Sequence, residues 1–200
     1  RIASLCAATR IRHAHREGSE SACGKGGGSS NALSPQKEAG TYYLDGSVVF
    51  DSVYFLSPVG WLRIFADGGV IVRVSWVRRG IPGDASSPLL RQALKELGEY
   101  FSGERRQFDV PVRALGTEFS EKVWHRLAAI PYGETLSYSA LATDVGCPGG
   151  ARAVGSACGR NPVPIIIPCH RVLPRSGQLG GFAWGQNAKR VLLQLENQTW

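Results

Sequence analysis

Between Ser47 and Val77, apolar and β-branched residues alternate with polar ones in three short runs, around Ser47–Ser57, Trp61–Ala66 and Val70–Val77. Alternation with period two marks strands with one buried face. The separating Pro58-Val59-Gly60 and Asp67-Gly68-Gly69 stretches carry turn chemistry, which predicts an antiparallel meander. From Pro88 the period lengthens: Leu89, Leu90, Ala93, Leu94 and Leu97 form a helical stripe that stops at Ser102-Gly103. Residues 41–112 therefore read as a small N-terminal α+β domain built on an antiparallel sheet.

The second half is helical and punctuated. Phe119, Val123, Trp124, Leu127 and Ile130 line one face of a helix that ends at Pro131. Ser137 is placed to cap a short helix bearing Leu141 and Val145, and Gly146-Cys147-Pro148-Gly149 predicts a sharp turn. A second short helix runs from about Gly150 to Gly159 and ends at the Asn161-Pro162 step. Two short helices joined by a glycine-containing turn form a helix-turn-helix arrangement. Ile165–Ile167, held extended by Pro162, Pro164 and Pro168, predicts a buried strand that delivers Cys169 to its end. A last helix carries Ala188, Val191, Leu192 and Leu195 at helical spacing. The expected fold class is α+β, with a mainly helical, winged helix-turn-helix-like domain over residues 113–200.

Residues 1–40 add no element. Residues 17–40 are dominated by Gly, Ser and polar residues with little to bury, and 1–40 as a whole is expected to be a disordered tail. Cys6, His13, His15 and Cys23 match no zinc spacing, and no metal is expected. The chain holds no methionine, which suggests an arbitrary start. No apolar run approaches the roughly 20 residues of a membrane span. The formal charge of +7 falls to +4 beyond residue 40, an excess that permits a phosphate-bearing partner without requiring one. Five cysteines, an odd count without a secretory signal, fit free thiols in a reducing compartment.

Two segments carry candidate chemistry. In ARAVGSACGR, the small residues Ala151, Gly155 and their neighbours leave Arg152 as the one long side chain at the helix start. A mid-helix glycine costs about 1 kcal/mol against alanine, so a close approach is what such a surface offers. It suits either a narrow DNA groove read by shape and phosphate contacts or tight packing in the core. In NPVPIIIPCHRVLP, Cys169 is followed at once by His170 and Arg171. Neighbours on a strand face opposite ways, so His170 reaches the thiol only if the backbone turns or a water intervenes. With Glu196 as the nearest plausible orienting carboxylate, this is either an activated Cys–His nucleophile or a structural pair.

Taken together, GETLSYSALA, ARAVGSACGRNPVPIIIPCHRV and KRVLLQLE resemble the O6-alkylguanine-DNA alkyltransferases, also called methylated-DNA–protein-cysteine methyltransferases, over residues 41–200. The resemblance implies a DNA repair protein that flips O6-alkylguanine, with O4-alkylthymine as a further substrate, out of the duplex. The alkyl group would then pass irreversibly to Cys169, once per molecule and without a cofactor. It implies His170 as base through a water, Glu196 as its orienting carboxylate, and Tyr138 as proton donor to the leaving guanine. DNA contacts fall to Arg152, Ala151, Gly155 and Ser137, and the pocket and its supports to Asn161, Pro164, Arg171, Phe182, Ala183 and Trp184. The implied partner is double-stranded DNA with an alkylated guanine, held by the minor groove with little sequence preference. A monomer in the cytoplasm is expected, or in the nucleus of a eukaryote. Trp184 departs from the family, which has a small residue there, and a narrowed pocket that disfavours benzyl-sized groups is expected. The alternatives are a module that binds alkylated DNA without repairing it and a Cys–His hydrolase.

Overall fold

The computed structural model describes residues 41–44 and 47–197. Residues 1–40, with the Cys6, His13, His15 and Cys23 set, lie outside the described residues, as does the expected tail. Four strands, β1 (Thr41–Leu44), β2 (Ser47–Ser57), β3 (Gly60–Asp67) and β4 (Val70–Val77), form an antiparallel sheet in chain order. The meander is the one the alternation predicts, and β1 extends it. A register shift between Phe65 and Ala66 lets β4 gain one residue on β3.

Helix α1 (Pro88–Phe101) starts where its sequence directs: Ser87 accepts from the Leu90 N–H, and proline occupies the first turn, where its missing donor costs nothing. Leu90, Ala93, Leu97 and Tyr100 form its buried stripe against Val53, Leu62 and Ile64 of the sheet. The edge of β4 is then claimed by later chain. Ile71 N–H donates to the Pro111 carbonyl and Val74 N–H to the Pro162 carbonyl, at 2.8 and 2.9 Å. The sheet thereby touches the segment that carries Cys169.

Three helices make the second layer: α2 (Glu118–Ala128), α3 (Tyr138–Asp144) and α4 (Ala151–Gly159). Trp124 Nε1 donates to the Ala157 carbonyl at 2.9 Å, fixing α2 on α4, and Arg126 pairs with Asp144 to hold α2 on α3. Two-residue strands β5 (Leu136–Ser137) and β6 (Val172–Leu173) pair in parallel, and α5 (Gln186–Leu195) closes the described chain. An α+β architecture with a helix-turn-helix pair results. None of the helices described is long and apolar enough to cross a membrane.

One expectation fails. Ile165–Ile167 is not a strand. Pro162, Pro164 and Pro168 remove the N–H groups a ladder needs, and the segment folds on itself: Ile167 N–H donates to Val163 O, and Cys169 N–H to Ile167 O, both at 2.9 Å. Ile165 sits at φ 75°, a conformation that costs a β-branched residue energy and persists only where surroundings enforce it. Cys169 therefore opens a 3₁₀ turn, Cys169–Arg171, rather than ending a strand.

Candidate active site

The knot of residues 161–169 is organised by Asn161. Its Nδ2 donates to the Ile167 carbonyl at 2.7 Å and its Oδ1 accepts from the Val163 N–H at 3.0 Å. Cys169 is set at the floor of a cavity of about 620 Å³, and the wall is made by four pieces of chain. Tyr138 and Ser139 come from the start of α3. Ala151, Arg152, Gly155, Cys158 and Gly159 come from α4, while Pro174–Arg175 and Gly180–Ala183 come from the loop before α5. Gly180 has no substitute: its φ is +67°, and a Cβ there would lie 2.8 Å from Pro174 Cγ. Gly155 instead leaves room beside the Tyr138 ring, from which a Cβ would stand 3.7 Å away.

Electrostatics keep the thiol quiet. Burial pushes Cys169 up to about 11, with Asn161 and Lys189 partly countering it, so at neutral pH it is a protonated thiol. Burial, helped by the neighbouring Cys158 and Cys169, pushes Tyr138 up to about 12, so it stays a phenol able to donate. Lys189 is fully buried with Nζ on the Val172 carbonyl at 2.7 Å, and desolvation lowers it to about 8.

The 3₁₀ turn fixes where His170 points. Because the backbone turns there, His170 points into the core, where its Nε2 lies 2.9 Å from Glu196 Oε1. Burial lowers its basicity more than Glu196 restores it, so the ring is neutral near pH 7. Nε2–H then donates to Glu196 and leaves Nδ1, which is buried and without a hydrogen-bond partner, as a proton acceptor. Glu196 just past α5 is itself saturated. Arg171 donates to both its oxygens at 2.8 Å, and the Gly133 N–H approaches at 3.3 Å. Although burial alone would raise it, the His170 and Arg171 hydrogen bonds hold this carboxyl well below the usual range. A buried thiol, a neutral imidazole with one open nitrogen and a fixed carboxylate can together take a proton from the thiol and leave a nucleophile.

Sequence comparison decides the family. Residues 118–198 match the family model described as 6-O-methylguanine DNA methyltransferase, DNA binding domain, and residues 52–114 match its ribonuclease-like domain. A methylated-DNA–protein-cysteine methyltransferase of Mycobacterium tuberculosis is 43% identical over 150 residues, covering 70% of this chain and 88% of that protein. The same-named protein of Mycolicibacterium paratuberculosis is 49% identical over 147 residues, covering 71% and 89%. The chain belongs to the methylated-DNA–protein-cysteine methyltransferase family. Solved structures of this family agree. The O6-methylguanine methyltransferase of M. tuberculosis superposes with a TM-score of 0.68 at 40% identity, covering 74% of this chain and 93% of that one. An M. tuberculosis OGT solved in complex with DNA gives 0.66 at 42% identity, covering 72% and 90%.

The methyltransferase site gathers most of the residues singled out from the sequence, but in two layers. Tyr138, Ala151, Arg152, Gly155, Cys169, Phe182 and Ala183 line the cavity. His170, Arg171, Asn161 and Pro164 are buried behind it. Arg171, expected in the pocket or among its supports, stands among the supports as the counter-ion of Glu196, because a guanidinium in this interior needs a carboxylate. Ser137, expected both to cap α3 and to contact DNA, does the first by accepting from the Ala140 N–H, and Ser139 is the serine that lines the cavity. Trp184, expected in the wall, stands one layer out, edge-on to Phe182 with centroids 5.7 Å apart.

Four functional neighbours were not read from the sequence: Lys189, Cys158, Tyr132 and Tyr100. Tyr132 caps the last turn of α5 through the Leu195 carbonyl at 2.8 Å. Tyr100 was legible only as the next position on the α1 stripe, three residues after Leu97.

Proposed function

We infer that this methyltransferase repairs alkylated DNA by moving an alkyl group from the O6 position of a flipped guanine to Cys169. The observation that carries the reading is Cys169 at the floor of a base-sized cavity, with His170 and Glu196 fixed behind it. A base stacked in a duplex hides its alkyl carbon, so the nucleotide must leave the stack, at a cost of a few kcal/mol. Helix α4 offers Arg152 at its exposed first turn to fill the gap left behind. The small surface of Ala151 and Gly155 allows α4 to lie close in the minor groove. Arg152 and Arg175, both exposed beside the opening, suit phosphate contacts that do not depend on sequence.

The steps balance without a cofactor. The Cys169 proton passes through a water to His170 Nδ1, while the Nε2–H stays on the ring, hydrogen-bonded to the Glu196 carboxylate. The thiolate attacks the alkyl carbon in line, the carbon–O6 bond breaks, and its electron pair goes to the departing guanine, which Tyr138 protonates. The product is a thioether, so each molecule reacts once. The same reading takes the protein to act as a monomer in the cytoplasm.

The test is intact mass measurement after mixing the protein with duplex DNA carrying O6-methylguanine. One methylene of added mass, absent in Cys169→Ala, supports the reading. Binding without added mass makes it a recognition module, and repeated product release from one molecule makes it a hydrolase.

A further inference from the structure

The Glu196 carboxylate is not held by the second half of the chain alone. Tyr100, on α1 in the region that matches the ribonuclease-like domain, is fully buried and donates its hydroxyl to Glu196 Oε1 at 2.7 Å. That oxygen is the one that receives His170 Nε2 at 2.9 Å and an Arg171 nitrogen at 2.8 Å. We propose that Tyr100 is a positioning residue of the alkyl-transfer site, its hydroxyl drawing charge from Glu196 Oε1 so that His170 stays neutral with Nδ1 open. The proposal rests on the alkyl-transfer reading above and adds a role for the N-terminal layer in it.

The direction of the effect follows from the charges. A carboxylate oxygen facing an imidazole N–H raises the affinity of that ring for a second proton, because the imidazolium would be its ion-pair partner. Each further donor on the same oxygen spreads its negative charge and weakens that pull. Tyr100 can only donate here. Burial first, and the adjacent Glu196 second, push its own proton affinity well up. Arg171 and Lys189 oppose a charge on His170, and Glu196 favours it. Tyr132 and Arg171 face Tyr100, and Arg106 lies over the outer side of the Tyr132 ring at 5.6 Å. Among these, the Tyr100 hydroxyl is the group that α1 contributes directly to the carboxylate.

A base that works by accepting the thiol proton must be unprotonated beforehand. Without the hydroxyl, His170 would hold a proton up to higher pH, and the protein would lose transfer rate on the acid side. A purely structural tyrosine would behave differently. Its ring packs on Phe101 and Phe108 at 5.3 and 5.4 Å, and phenylalanine preserves that packing.

The experiment is the pH dependence of single-turnover methyl transfer from duplex O6-methylguanine DNA, normalised to reactive Cys169, for the full chain and for Tyr100→Phe. The titration of the His170 ring is followed by NMR in the same samples. The acid limb and the ring titration are both expected to move upward by about half a unit, roughly a threefold gain in proton affinity. Replacing Tyr100 by 3-fluorotyrosine, a stronger donor of nearly the same shape, is expected to move both downward, and it decides the matter if the phenylalanine variant does not fold. Unmoved midpoints in a folded variant overturn the proposal. If the unmodified chain transfers no methyl group, the alkyl-transfer reading falls instead, and the NMR titration still decides whether Tyr100 tunes His170.

Discussion

The Asn161 side chain bonds the Ile167 carbonyl at 2.7 Å and the Val163 N–H at 3.0 Å, so one amide closes the loop that carries Cys169. It also holds Ile165 at its positive φ, because the loop cannot open while both bonds stand. Replacing it by alanine leaves the buried Val163 N–H unpaired, at a cost of about 1–3 kcal/mol, and strips the Ile167 carbonyl of one of its two donors, the Cys169 N–H remaining. Asn161→Ala is therefore expected to lower the urea midpoint clearly. It should also slow methyl transfer, since the thiol loses the group that eases its ionisation. Equilibrium unfolding and single-turnover kinetics check the two effects separately.

The Glu196 hub predicts how stability depends on acid. Its folded value is depressed below the ordinary 4.5, so its contribution is fully present above that pH and is lost as pH falls toward the folded value. Unfolding free energy should fall steadily below about pH 4.5. In Glu196→Gln, which leaves the buried Arg171 without its counter-ion, stability at pH 7 should drop by about 3–5 kcal/mol and this part of the acid slope should flatten. Urea titrations at a series of pH values measure both.

Gly180→Ala tests the cavity wall. The added Cβ meets the Pro174 ring at 2.8 Å while φ stays at +67°. A loss of about 1 kcal/mol or more is expected from the backbone conformation alone. The loop must then move off Tyr138, so methyl transfer should slow even in molecules that remain folded. A thermal melt with stopped-flow transfer on the same sample distinguishes the two.

Trp184 should act at second hand. It does not line the cavity but braces Phe182, which does. Trp184→Gly is expected to free the Phe182 ring and raise benzyl transfer several-fold relative to methyl transfer, with the methyl rate little changed. An unchanged benzyl-to-methyl ratio, read from parallel labelling reactions, shows that Phe182 needs no brace.

How much of this was readable in advance follows from the kind of signal involved. Strands β2 to β4 and helix α1 carry unmixed periods and explicit turn or stop residues, so Pro88, Ser102-Gly103 and the Asp67-Gly68-Gly69 turn place them without tertiary help. The isoleucine run misled because β propensity is strong there, while the deciding facts were absent donors at three prolines and a side-chain bond from Asn161. Cys169, His170 and Glu196 could be found by residue type. Tyr100 and Lys189 could not. An aromatic on an amphipathic stripe looks like core, and a lysine on a closing helix looks like surface. Only their hydrogen bonds to Glu196 and to the Val172 carbonyl reveal otherwise.

Glu196 follows every other member of the site along the chain, yet it is the group on which His170, Arg171 and Tyr100 converge. A chain cut just before Glu196 would keep Cys169 and His170 but lose the carboxylate that orients the imidazole. Removing a few residues far along the chain would therefore silence a thiol that is itself untouched.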